Sequence, residues 1–247
     1  MKKIPFSLLI IAFFSSFIFQ SCLDDDDNNY NYDLAIGTLQ KDADEYYFLQ
    51  LDNNKKLLAR DSSVIHYRKA GAGQRVLAQF SYLDEQPGDY EYSVRIDDVY
   101  KILTKPAIRI TPEKEDSIAD DKIEVINYWV SKNYLNIEYQ VWATNDEDKP
   151  HMLNLVEVED PKDPEEGYAS LEFRHNSFDD PQLRMYSGIV SFDLSALGYQ
   201  PGAPGLKGIK VRVNSIYQEH RTYKINYDKQ TDGDKKIAHT NFSLVTK

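Results

Sequence analysis

The sequence predicts an all-β protein, a small Greek-key barrel followed by an antiparallel β-sandwich. Three observations carry this. Apolar residues recur with period two, the alternation of a half-buried strand. "YEYSVRI" sets Tyr90, Tyr92, Val94 and Ile96 against Glu91, Ser93 and Arg95, and "LNIEYQV" sets Leu135, Ile137, Tyr139 and Val141 against Asn136, Glu138 and Gln140. No stretch shows three turns of capped helical amphipathicity. Turn residues separate the runs, as in "DNNKK", "AGAGQ" and "DEQPGD".

Taken in order, the first half holds five strand-like segments, 34–39, 46–52, 56–60, 75–83 and 90–103. Five short strands in so little chain suit an OB-like barrel. A break follows at "TKPAIRITPEKEDSIADD", where Pro106 and Pro112 bracket a short apolar piece. The second half holds seven segments: "KIEVINYWV", "YLNIEYQVWA", "HMLNLVEVE", "YASLEFRH", "YSGIVSFDL", "KGIKVRVN" and "RTYKINYD". Seven strands with polar loops suit a sandwich. The expected division is therefore 34–112 for the barrel, 113–121 for a linker and 122–247 for the sandwich.

Ahead of the strands, residues 1–21 read "MKKIPFSLLIIAFFSSFIFQS". Lys2 and Lys3, an apolar run and a small residue at the end form the layout of a secretory signal peptide. The run from Ile4 to Phe19 is 16 residues, short of the roughly 20 that span a bilayer. Cys22 is the single cysteine, so no intrachain disulfide can form. Its place after the signal peptide resembles the lipobox of bacterial lipoproteins, which implies cleavage before Cys22 and lipid attachment at its thiol. Ser21 fits that motif. Phe19 and Gln20 depart from its usual Leu and small residue, as in the looser pattern of Bacteroidetes lipoproteins. Each buried methylene contributes about 0.8 kcal/mol, so more than one acyl chain makes a stable anchor.

Cleavage before Cys22 removes Lys2 and Lys3 and takes the formal charge from −11 to −13. Residues 22–33 are polar, and the adjacent carboxylates of Asp24, Asp25, Asp26 and Asp27 repel one another, so this stretch reads as an extended acidic tether. The acidic balance opposes nucleic-acid binding, whose affinity rests on Lys and Arg. With 13% aromatics and 18 tyrosines, the chain is rich enough in apolar mass to fold.

The blocks "AIGTLQKDADEYYFLQLDNNKKL", "GQRVLAQFSYLDE" and "YEYSVRIDDVYKILTKP" are followed by "NYLNIEYQVW", "HMLNLV" and "FDLSAL". In that order and spacing the chain resembles the NigD-like lipoproteins of Bacteroidetes over nearly the whole mature sequence. Each block is a strand segment and weakly specific alone. The resemblance implies an N-terminal OB-like domain and a C-terminal β-sandwich. It also brings a bacteriocin-immunity role proposed for the family from gene context. "LDDDD" is similar to the signal that carries Bacteroidetes lipoproteins to the outer face of the outer membrane, which implies that role for Asp24 to Asp27. A plain periplasmic spacer is the alternative.

No catalytic signature stands out. The histidines, His66, His151, His175, His220 and His239, show no metal-ligand spacing. Asp97 and Asp98, Asp146 to Asp148, and Asp179 and Asp180 read as solvated turn residues. Asp193 reads as the cap of a short turn. Tyr46, Phe48, Tyr90 and Tyr92 read as barrel core or a half-buried face. Trp129 and Trp142 read as core, with stacking on a sugar as the other use. The expectation is a non-catalytic outer-membrane lipoprotein, without cofactor or metal, that binds a protein or glycan at the cell envelope. A fimbrillin-like adhesive protein and a carbohydrate-binding or carbohydrate-active protein are the alternatives.

Overall fold

In a computed structural model, residues 33–229 are described, apart from 145 and 147. The signal segment, Cys22, Asp24 to Asp27 and His239 lie outside them. The barrel is built from β1 (Asp33–Lys41), β2 (Tyr47–Leu51), β3 (Lys56–Asp61), α1 (Ser63–Tyr67), β4 (Arg75–Leu83) and β5 (Tyr92–Lys101). Pairing runs β1-β2-β3-β5-β4 and closes on β1, with β3 and β5 parallel. Closure leaves no free edge. Strand β1 pairs on both sides at Gly37, opposite Leu51 and Val76. A Cβ there would sit 2.6 Å from the Gln50 carbonyl, so only glycine lets the strand bend around that corner. Leu39, Leu49, Val76, Phe80, Val94 and Ile96 fill the interior, and Ile65 of α1 joins the same cluster.

After Lys101 the chain changes partners. β6 (Leu103–Pro106) pairs with a strand of one sandwich sheet and β7 (Ile108–Arg109) with a strand of the other. Residues 103–109, expected within the barrel span, therefore belong to sandwich sheets. Then come α2 (Pro112–Ile118), β8 (Glu124–Ser131), β9 (Tyr134–Ala143), β10 (Met152–Glu157), β11 (Tyr168–Asn176) and β12 (Arg184–Asp193). β13 (Gly208–Asn214) and β14 (His220–Asn226) complete the fold. One sheet has the order β14-β13-β11-β10-β7 and the other β6-β12-β9-β8. Leu135, Ile137, Tyr139, Leu155, Phe173, Phe192 and Val211 form the core between them.

The expected antiparallel sandwich is a mixed one. β6 with β12, β7 with β10 and β11 with β13 run parallel. Alternation reports which face is buried and carries no information on strand direction. Helices α1 and α2 span 5 and 7 residues, too short to show a helical period. The face of β9 expected to be wet is covered: Asn136 is 0% and Glu138 1% exposed, and Arg75 of the barrel bonds to Asn136 from that side.

Candidate functional site

The barrel meets the sandwich through an apolar patch and a buried polar ring. Leu77, on the outer side of β4, packs with Ile102, Trp129 and Ile189. Beside them Arg75, buried on β4, makes a bidentate ion pair with Asp52, at 2.7 Å from Nη1 and 2.5 Å from Nη2. Its Nε donates to Ser191 Oγ (3.0 Å) and Nη2 to Asn136 Oδ1 (3.0 Å), both on sandwich strands. Ser131 Oγ donates to Asp52 and accepts from Asn136 Nδ2 (2.9 Å), so the ring closes. The guanidinium also lies 4.1 Å from the centre of the Tyr134 ring. A buried charge that has lost its water needs such partners.

A cleft of about 780 Å³ opens at this junction. The barrel contributes Thr38, Gln74 and Arg75, and the connecting run from Tyr100 to Thr104 forms one wall. Tyr134, Tyr139 and Ile189 contribute from the sandwich. Gly188 makes room for the Tyr139 phenol across the β9–β12 pair: a Cβ there would sit 2.2 Å from Tyr139 Oη. Burial pushes the Tyr100 phenol above its usual pKa, with the nearby Asp98 carboxylate adding to the effect. Mixed apolar and polar lining at a domain junction is the common setting of small-ligand sites.

A second basin of about 650 Å³ opens on the sandwich, lined in part by Trp142, Asp120, Asp121, His175 and Asp180. Behind it lies a buried chain. His175 Nδ1 lies 3.1 Å from the Lys122 carbonyl, His151 Nδ1 lies 2.9 Å from His175 Nε2, and His151 Nε2 lies 3.2 Å from Asp180. Since the carbonyl only accepts, His175 Nδ1 carries a proton and its Nε2 accepts from His151. Burial pulls the His175 pKa down to about 4, and the neighbouring His151 charge adds to this. Burial opposes the charge on Asp180, but hydrogen bonds from Thr144 N and Oγ1, both 2.5 Å, hold it below the usual carboxylate range. Among the described residues no group of three His, Cys, Asp or Glu side chains is placed to hold a metal ion.

The other residues singled out in the sequence scatter. Trp129 is buried at the junction, whereas Trp142, expected in the core, is 38% exposed at the basin. Tyr46 and Tyr92, expected in the barrel core or a half-buried face, are exposed; Phe48 and Tyr90 are half-buried. Asp97 and Asp98 sit on β5 and not in a turn, Asp97 as the extra residue of a bulge. Asp97 accepts from Ser81 Oγ, and Asp98 pairs with Arg68. Asp180, expected to be solvated, is buried because His151 and Thr144 enclose it. Asp193 caps the 3₁₀ turn Leu194–Leu197 by accepting from Ser195 N. His66 packs edge-on to Tyr47, and His220 is exposed on β14. The junction ring went unforeseen; its sequence trace is an arginine opening the strand "RVLAQF" and an asparagine inside the apolar run "YLNIEY".

Residues 36–102 match the model of the NigD-like N-terminal OB domain, and residues 106–227 match that of the NigD-like C-terminal beta sandwich domain. A protein of unknown function from Bacteroides vulgatus is 32% identical, with 79% of this chain and 90% of that one covered and a TM-score of 0.70. A candidate lipoprotein from Bacteroides fragilis shares the fold at 13% identity and a TM-score of 0.61, covering 79% of this chain and 98% of that one. A NigD-like immunity protein from Bacteroides caccae shares it at 19% identity and a TM-score of 0.55, covering 78% and 93%. No curated protein matches the chain.

Proposed function

We propose a function from one premise: the chain belongs to the NigD-like family, an OB domain followed by a β-sandwich. The protein acts as a lipid-anchored binding module at the outer membrane and carries out no catalysis. Cys22 holds the lipid, and Asp24 to Asp27 direct the module to the cell exterior. The polar tether lets the two domains reach a protein or glycan partner. An immunity-type role, the description carried by the Bacteroides caccae relative, is one form such binding takes. The observation that carries the reading is the junction itself. The Arg75 ring joins barrel and sandwich into one body and leaves a ligand-sized cleft beside it. Among the described residues no helix is long and apolar enough to cross a membrane.

The anchor is tested by labelling cells with a radioactive fatty acid and fractionating them. Cys22→Ala abolishes the label and moves the protein out of the membrane fraction; persistent labelling overturns the assignment. Replacing Asp24 to Asp27 with alanine reduces cleavage by protease added to intact cells. Unchanged cleavage reduces the acidic run to a spacer.

A further inference from the structure

The geometry points to the junction cleft as a site for a small anionic aromatic molecule, an inference that rests on the binding-module reading and gives it a ligand class. Charge is the first reason. The whole chain carries 40 acidic and 29 basic residues, yet the residues lining this cleft include two bases, Arg75 and Lys101, and no carboxylate. A local excess of positive charge in an acidic protein favours a ligand of negative charge. The two cations differ in availability. Arg75 is neutralised by Asp52, and its Nε and the second hydrogen of Nη2 donate to Ser191 and Asn136. Lys101 is exposed at the end of β5, so its ammonium, on a flexible stem, is the charge free to meet a ligand.

Shape and lining give the second reason. The volume, about 780 Å³, falls within the roughly 300–1,000 Å³ of small-molecule sites. Tyr100, Ile102, Leu103 and Ile189 supply flat or branched apolar surface, and Gln74 and Thr104 supply hydrogen-bonding groups. Aromatic rings pack edge-to-face or offset against such tyrosines. The walls also hold their shape without a ligand. The Arg75 ring and the apolar patch of Leu77, Trp129 and Ile189 fix the two domains, so little ordering opposes binding.

The test uses the chain of residues 22–247, which retains every described residue and omits the segment expected to be cleaved. Three naphthalene probes of one size are titrated by calorimetry: 2-naphthalenesulfonate, 2-naphthalenemethanol and 2-naphthylmethylammonium. The sulfonate binds one to one and at least about tenfold more tightly than the ammonium, a difference of about 1.4 kcal/mol. Lys101→Glu removes that preference, and Thr104→Trp, which fills the cleft from an exposed position, weakens all three probes. Thermal melts confirm that both variants fold, and Lys101→Glu alone suffices if the tryptophan does not. Absence of sulfonate binding at millimolar concentration, equal binding of the three probes, or binding unchanged by the folded variants overturns the inference. Such a result leaves the anchor standing, since that is read by fatty-acid labelling. Loss of the anchor leaves the cleft standing in turn.

Discussion

Replacing Arg75 with methionine tests whether the polar ring holds the two domains together. Methionine keeps much of the side-chain length and removes the charge and every donor. The partner left behind is the Asp52 carboxylate, whose side chain is 9% exposed. Removing one partner of a buried pair costs about 3–5 kcal/mol, because the other charge stays buried and uncompensated. Asn136 and Ser191 lose their bonds from the guanidinium, while Ser131 still donates to Asp52. We therefore expect a loss near about 4 kcal/mol, a large share of the roughly 5–15 kcal/mol that stabilises a typical protein. For a chain of this size that lowers Tm by about 10 °C. Urea unfolding followed by tryptophan fluorescence is the assay, since Trp129 lies in the junction and reports its opening. The exposed pair Arg95–Asp97 serves as the comparison: Arg95→Ala costs about 1 kcal/mol or less. Asp52→Leu added to Arg75→Met recovers part of the loss by removing the stranded charge. A loss below about 1 kcal/mol for Arg75→Met alone would refute the view that the ring is a structural joint.

Two further outcomes follow from the sandwich. The pKa of His175, ordinarily 6.5, is held down to about 4 by burial, so the folded state binds fewer protons than the unfolded chain between these values. Its contribution is present in full above pH 6.5 and is lost as pH falls towards 4. At pH 4.5 that amounts to about 2–3 kcal/mol. Comparing urea midpoints at pH 7 and pH 4.5, His175→Gln loses less on acidification than the native chain by about that amount, and equal losses would contradict the assignment. At Gly208 an added Cβ would lie 1.9 Å from the Ile225 carbonyl oxygen across the β13–β14 pair, so Gly208→Ala costs about 3 kcal/mol. Gly71 has open space around its Cβ position, and Gly71→Ala changes stability by about 0.5 kcal/mol, in the stabilising direction. Thermal melts that rank the two glycines the other way would contradict the packing.

How far the fold was legible follows from what alternation encodes. The barrel segments expected at 34–39, 46–52, 56–60 and 75–83 overlap β1 to β4, and 90–103 overlaps β5, because one side of each strand faces a core. The same rule fails where both sides are covered. In "LNIEYQV" the polar partners Asn136 and Glu138 read as a solvated face, but both are buried, Asn136 bonded to Arg75 of the barrel. Period two says only that the faces differ, and a buried hydrogen-bonded asparagine has the same signature as a wet one. β5 shows a second limit. Asp97 is an extra residue of β5 facing the step between Gln79 and Phe80 of β4, a bulge that resets the period, so Val99 points inward though Ile96 does too.

The junction was hidden for a different reason. Arg75 and Ser191 are 116 residues apart, and Arg75 and Asn136 are 61 apart; no local pattern marks either as a partner of the other. Proline placement pointed to a boundary near 112, whereas strand pairing changes just after Lys101. Pro106 is compatible with β6 because β6 is an edge strand of its sheet and needs one hydrogen-bonding side only. That same change of partner places Tyr100, Lys101 and Thr104 along one wall of the cleft. The connecting segment thus fixes the joint and lines the site, so a substitution there that alters ligand preference without changing stability, such as Lys101→Glu, separates the two roles.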